Sequence, residues 1–242
     1  RHRVDFTTLK YVTEFGKVAI LYPQSVPLEV SLIWGAVHDQ YFFSITEDFD
    51  FIVSDLTNFP HFQQIFAIKL ENIQLTHETK AITHNLHYIC IATDSGNEVI
   101  IANIKNPKEP LFSAFTFNSK NIVSIIPATE KNSFAILVET QKESKLIYYL
   151  DCKTNNIYNT VRVDSSSFKL IYSLDPDNRQ EFCVQKRKII GIGTPITLTT
   201  KFDILLASNV VGNTISAVFD DKDNTYYVYS LTNKIEHFYR GG

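Results

Sequence analysis

Apolar and β-branched residues along this chain fall into short runs, each closed by a cluster of Gly, Pro, Asn, Asp or Ser. The clearest passage is His87–Phe117. It holds three such runs, His87–Thr93, Glu98–Ile104 and Leu111–Phe117, parted by the turn chemistry of Asp94-Ser95-Gly96-Asn97 and by the breaker Lys105–Pro110. Each run suits a pleated, half-buried surface, so each predicts a strand.

The same pattern recurs in degraded form on both sides of this passage. Arg1–Thr8 reads as a lone strand or a lead-in. A worn first unit follows, with Leu9–Glu14, a Phe15-Gly16-Lys17 turn, Val18–Tyr22 and a proline-bounded piece, Val26–Leu32. The second unit is Leu32–Val37, Tyr41–Thr46, Phe49–Leu56 and Phe62–Ile68. A loose connection, Lys69–Lys80, then leads through Ala81–Thr83 into the reference passage. The fourth unit is Asn121–Pro127, Ser133–Thr140, Lys145–Leu150 and Ile157–Val163. A fifth comprises Phe168–Leu174, Gln180–Gln185, Lys188–Ile192 and Ile196–Thr200. The sixth comprises Phe202–Ala207, Ile215–Phe219, Thr225–Leu231 and Ile235–Tyr239.

One landmark gives the period. At the end of each third strand stand Ser54-Asp55-Leu56-Thr57-Asn58, Ala102-Asn103-Ile104-Lys105-Asn106, Leu150-Asp151-Cys152-Lys153-Thr154-Asn155 and Tyr229-Ser230-Leu231-Thr232-Asn233. Their terminal asparagines are 48, 49 and 78 residues apart, the last interval holding two shortened units. Four strands repeated every 40 to 50 residues or so mark a β-propeller, whose blades bury both faces against their neighbours. The reading is therefore all-β: one propeller domain over residues 1–242, with blades at roughly 9–31, 32–69, 81–117, 121–163, 168–200 and 202–239. Six four-stranded blades are expected, or six of seven, with Arg3–Thr7 completing the last. A β-sandwich is the runner-up.

The units resemble divergent WD-repeat blades. That family closes its third strand with Trp-Asp. Here Asp55, Asn103, Asp151 and Ser230 hold the polar half, while the Trp and the opening Gly-His pair are missing. The resemblance rests on strand order and turn spacing over nearly the whole chain, and it implies a propeller fold and an interaction role.

Composition changes little in this picture. The 242 residues are 44% apolar with 18 Phe and 12 Tyr, enough for one large all-β core. A net charge of −3 with thinly spread Lys and Arg argues against direct nucleic-acid binding. No apolar run approaches the 18 to 20 or so residues of a membrane-spanning helix, and no signal-peptide pattern opens the chain. Cys90, Cys152 and Cys183 are odd in number, widely spaced and without a CxxC pair, which points away from a disulfide framework and towards a reducing, intracellular setting. The chain has no Met; Met positions or whole loops are expected to be missing from it.

Candidate chemistry is sparse. No Gly-x-Ser-x-Gly elbow supports nucleophilic catalysis, and His38, His61, His77, His84, His87 and His237 are scattered. Asp94-Ser95-Gly96 resembles the turn of sialidase-like propellers, which keeps a six-bladed glycosidase with a central-channel site as the alternative function, but it also serves as a plain hairpin turn. Asp220–Asn224 has the oxygen density of a Ca²⁺ loop without its spacing. Gly191-Ile192-Gly193 lacks the third glycine of a phosphate cradle. No cofactor and no metal site are expected.

Two places stand out as partner-binding candidates. Phe59, Pro60 and Phe62 form an aromatic turn of the kind that anchors on a rim, and Lys186, Arg187 and Lys188 form the one basic cluster. The phosphoinositide-binding motif Phe-Arg-Arg-Gly is absent. The expected function is a non-catalytic protein-protein interaction scaffold, nuclear or cytoplasmic, whose partners are other subunits of a complex; nuclear pore, ribosome-assembly, chromatin and vesicle-coat assemblies all fit.

Overall fold

The computed structural model describes residues 2–12, 17–175, 177–220, 225–231 and 236–240, with the backbone course alone for 2–27, 225–230 and 236–240. The chain divides into two compact units, Arg1–Thr76 with Asn106–Glu109, and His77–Lys105 with Pro110–Gly242.

In the first unit, β1 (His2–Val12) pairs antiparallel with β2 (Lys17–Leu28). Here the structure departs from expectation. The three short pieces of the worn unit are two long strands, and Arg3–Thr7 lies opposite Pro27–Pro23 instead of completing the last sheet. Pro23 and Pro27 look like breaks in the sequence, yet each strand of a two-stranded sheet keeps an open edge, where a residue without an N–H costs no ladder bond. The Phe15-Gly16 turn lies outside the described residues. A four-stranded antiparallel sheet follows in chain order: β3 (Leu32–His38), β4 (Tyr41–Thr46), β5 (Asp50–Asp55) and β6 (Gln63–Lys69). Its inner strands carry the buried Phe43, Ile45, Phe51 and Val53. The loose connection after it begins as a 3-10 turn, Leu70–Ile73, anchored by fully buried Leu70.

The second unit repeats that meander four times. Its sheets are β7 to β10 (Thr79–His84, Tyr88–Thr93, Glu98–Asn103, Leu111–Thr116) and β11 to β14 (Asn121–Pro127, Ser133–Glu139, Lys145–Asp151, Asn156–Val163). Then come β15 to β18 (Lys169–Tyr172, Glu181–Val184, Lys188–Gly191, Thr197–Thr199) and β19 to β22 (Ile204–Ala207, Thr214–Phe219, Thr225–Ser230, Glu236–Arg240). Each sheet is antiparallel and ordered as in the chain.

A gradient of burial runs across the sheets β7–β10 and β11–β14. Every residue of β8 and β16 is buried, as are the first six of β12, whereas β10 and β14 stay largely exposed. A strand buried on both faces has no polar face to alternate with, which explains continuous apolar runs such as Tyr88-Ile89-Cys90-Ile91-Ala92. Successive sheets of the second unit share cores. Cys90, Val99 and Ile101 pack with Ile122, Phe134 and Ile136; Leu137 and Ile147 with Leu170 and Cys183; Phe182 and Ile189 with Ile215 and Phe219. Each fully buried Ile or Phe contributes about 1.5–3 kcal/mol. The first strands β7, β11 and β15 lie side by side, and Ser173, just past β15, bridges in parallel to Val210, just past β19.

Two local devices recur with the sheets. A bulge interrupts the pairing of first and second strands between Leu32 and Trp34, Thr79 and Ala81, Ile122 and Ser124, and Ile204 and Leu206. The extra residue is re-aimed, so Ile33 and Leu205 stand exposed. The third-strand landmark is the second device. Asp55 Oδ1 accepts from Thr57 N–H, Asn103 Oδ1 from Lys105 N–H, and Asp151 Oδ1 from Lys153 N–H. Each starts an Asx turn towards the fourth strand, which is why the polar half of the pair persists without Trp. Ser230's side chain lies outside the described residues.

Candidate functional site

The basic cluster sits on a built rim. The β16–β17 corner presents Lys186 and Arg187, and Lys188 opens β17, all three exposed. Two backbone bonds join this corner to the connection between β18 and β19: Ile204 N–H to Lys186 O at 2.7 Å and Thr200 N–H to Arg187 O at 3.0 Å. The junction brings in Asp203. Its Oδ1 accepts from Arg187 Nε at 2.5 Å, and its Oδ2 lies 3.4 Å from Lys186 Nζ. The Arg187 hydrogen bond holds the Asp203 carboxyl below the usual carboxylate range. Lys201 adds a further cation, 5.5 Å from the centre of the Phe202 ring.

The aromatic turn belongs to the first unit, between β5 and β6. Phe59 and Phe62 are half-buried, with Pro60 and His61 exposed, and the Phe59-Pro60 peptide is cis. The Phe59 and Phe62 rings lie 6.2 Å apart, and Phe62 lies 5.8 Å from the ring of buried Phe42. The turn is thus rooted in the sheet's core and shows solvent Pro60, His61 and the flanks of two rings. Trp34 is half-buried on β3.

A site that sequence reasoning missed lies in the second unit. Glu181 is the one carboxylate buried among the described residues, 6% exposed at the start of β16. Its Oε2 accepts from Thr129 N–H at 2.9 Å and from the Thr129 hydroxyl at 2.7 Å, while its Oε1 accepts from the Tyr149 hydroxyl at 2.9 Å. Burial, reinforced by the Glu181 charge, pushes the Tyr149 hydroxyl well above its ordinary pKa. With both oxygens engaged by donors from the neighbouring sheet and the loop beyond β11, Glu181 acts as a clasp between sheets. Its signal in the sequence was a charged residue inside a run that folds as a fully buried strand.

The other sequence candidates stay apart. Asp94-Ser95-Gly96-Asn97 is the β8–β9 hairpin turn, with Gly96 at φ +86°. Gly191 ends β17, Gly193 turns towards β18 at φ +73°, and Asp221–Asn224 lies outside the described residues. His77 lies 3.6 Å from Asp94, and His38 packs edge-on to Phe43. Among the described residues no three His, Cys, Asp or Glu side chains gather as a metal site, and no helix is long and apolar enough to cross a membrane.

Neither a family profile nor a curated protein sequence matches the chain. Solved structures do. The chain superposes on the Cps50 (Swd1) β-propeller domain of Myceliophteria thermophila with a TM-score of 0.62 at 11% identity, covering 99% of this chain and 81% of that one. The WD40 domain of SCAP from fission yeast matches with a TM-score of 0.56 at 14% identity, over 88% of this chain and 56% of that domain. A chain of the Mitotic Checkpoint Complex matches with a TM-score of 0.56 at 9% identity, over 97% and 74%. These matches define the class: an all-β chain with several four-stranded antiparallel sheets. The fold is that of a divergent WD-repeat-like β-propeller.

Proposed function

We propose that the chain is a non-catalytic scaffold, a subunit of an intracellular multiprotein assembly, nuclear or cytoplasmic. The observation that carries the reading is the recurrence of one design. Central strands are buried on both faces while fourth strands and turns remain exposed, so the sheets spend their apolar surface on one another and leave polar rims of varied chemistry for partners. A propeller of six blades within one domain, the first reduced to the β1–β2 pair, extends the same reading. The match to a chain of the Mitotic Checkpoint Complex supports protein partners, since that neighbour was solved within a complex. The WD-repeat resemblance admits nuclear pore, ribosome-assembly, chromatin and vesicle-coat assemblies alike.

The test is affinity purification of the protein from native extract, followed by size-exclusion chromatography and mass spectrometry. Partners that co-migrate at near-equal stoichiometry are expected. A chain that elutes as a monomer, free of partners in repeated preparations, overturns the reading.

A further inference from the structure

We propose that the rim built from the β16–β17 corner and the β18–β19 connection docks an acidic segment of a partner protein, with Arg187 reading its carboxylates. The proposal rests on the scaffold reading and names the chemistry of one partner. Lys186, Arg187, Lys188 and Lys201 converge from two stretches held together by backbone hydrogen bonds. With Asp164, which senses Lys188, and Asp220, whose backbone N–H donates to the Asp203 carbonyl, counted beside Asp203, four cations stand against three carboxylates. The whole chain, by contrast, carries 23 basic against 26 acidic residues.

Asp203 does more than neutralise. Its side chain is 26% exposed against 61% for Arg187, and it grips the guanidinium by the Nε edge. The two terminal amino groups are left for a second acceptor, and that fork matches a carboxylate in bidentate fashion. An arginine already braced also loses less side-chain freedom when a ligand arrives. A short acidic peptide suits this rim better than a polyanion. Nucleic acid or an anionic membrane needs a broad basic field, and a chain of net charge −3 with scattered lysines does not supply one.

The test uses the full chain and a fluorescein-labelled peptide of about twelve Glu and Ser residues, with anisotropy read as salt rises from about 0.05 to 0.3 M. Saturable, salt-sensitive binding is expected. Arg187→Glu should weaken it at least about tenfold, and Arg187→Lys, which keeps the charge and removes the fork, about three- to fivefold. Lys153→Glu, in the β13–β14 turn, should leave it unchanged and so controls for net charge. The proposal falls if the peptide does not bind, if Arg187→Lys binds as well as the parent, or if duplex DNA or phosphatidylserine vesicles bind as tightly as the peptide. Stoichiometric partners in native extract without peptide binding would overturn this proposal alone. Peptide binding by a chain that has no partners in extract would support the rim and overturn the assembly reading.

Discussion

The Tyr149 hydroxyl donates to Glu181 Oε1 across 2.9 Å, tying the third strand of one sheet to the second strand of the next. Thr129 supplies the other two donors from beyond β11, so the carboxylate is satisfied entirely by the neighbouring sheet. Polar groups buried this way stabilise little beyond their desolvation cost while intact, but leaving one without its partner is costly.

Glu181→Ala is therefore expected to lower stability by about 3 kcal/mol, because Tyr149 and Thr129 lose their acceptor in a buried setting. Glu181→Gln should cost about 1 kcal/mol, since an amide can still accept from Thr129 and donate to the Tyr149 oxygen. Urea unfolding of both variants with Tyr149→Phe closes the cycle. Additivity of Glu181→Ala and Tyr149→Phe would show that the pair does not act as a unit.

Gly96 predicts a second difference. It sits at φ +86°, and a Cβ there would come within 2.1 Å of the Lys120 carbonyl oxygen, on the connection into the next sheet. Ser119 Oγ also donates to the Gly96 carbonyl at 2.8 Å, which keeps the two stretches close. Gly96→Ala should cost at least about 2 kcal/mol, from strain and collision together. Gly212→Ala, at φ +60° with open space around it, should cost about 1 kcal/mol from backbone strain alone. Equal midpoints for the two variants in thermal unfolding would rule out the collision.

The Asx turns make a third. Removing the accepting oxygen by Asn103→Ala or Asp151→Ala should cost about 0.5–1 kcal/mol each, and Asn103→Asp should be nearly neutral because the oxygen stays. Denaturation midpoints that do not move for either alanine variant would deny the landmark a structural role.

How much of this was legible follows from the range of each interaction. Strands and turns are local: Asp94-Ser95-Gly96-Asn97 turns because its own residues demand it, and β8 is apolar because both its faces are covered. The β1–β2 pair was misread for a local reason too, since Pro23 and Pro27 signal a break unless one knows that the strand has an open edge. Lys186, Arg187 and Lys188 were visible as a cluster, but Asp203, 16 residues on, becomes their partner only through the β18–β19 connection. Glu181 was least legible, with partners 32 and 52 residues away on another sheet.

The thiols and Tyr149 predict the response to alkali. Cys90, Cys152 and Cys183 are all buried and free. Burial raises all three thiols, pushing Cys152 up from 9.0 to about 12, and raises the Tyr149 hydroxyl likewise. Each group is neutral when protonated, so the folded chain keeps protons that the unfolded chain releases near pH 9 for the thiols and near pH 10 for the tyrosine. Stability should be complete below about pH 8.5 and decline as pH climbs towards 12, by up to about 1.4 kcal/mol per pH unit for each group ionised only in the unfolded chain. Urea unfolding between about pH 7 and pH 11 measures this, and Cys152→Ala should lessen the slope above pH 9 by one group's share. At neutral pH the same burial should hide every thiol from a disulfide reagent until denaturant is added, when all three react. Rapid labelling of the native protein, or stability that stays flat beyond pH 10, would mean that these sheets are not packed as tightly as the buried thiols imply.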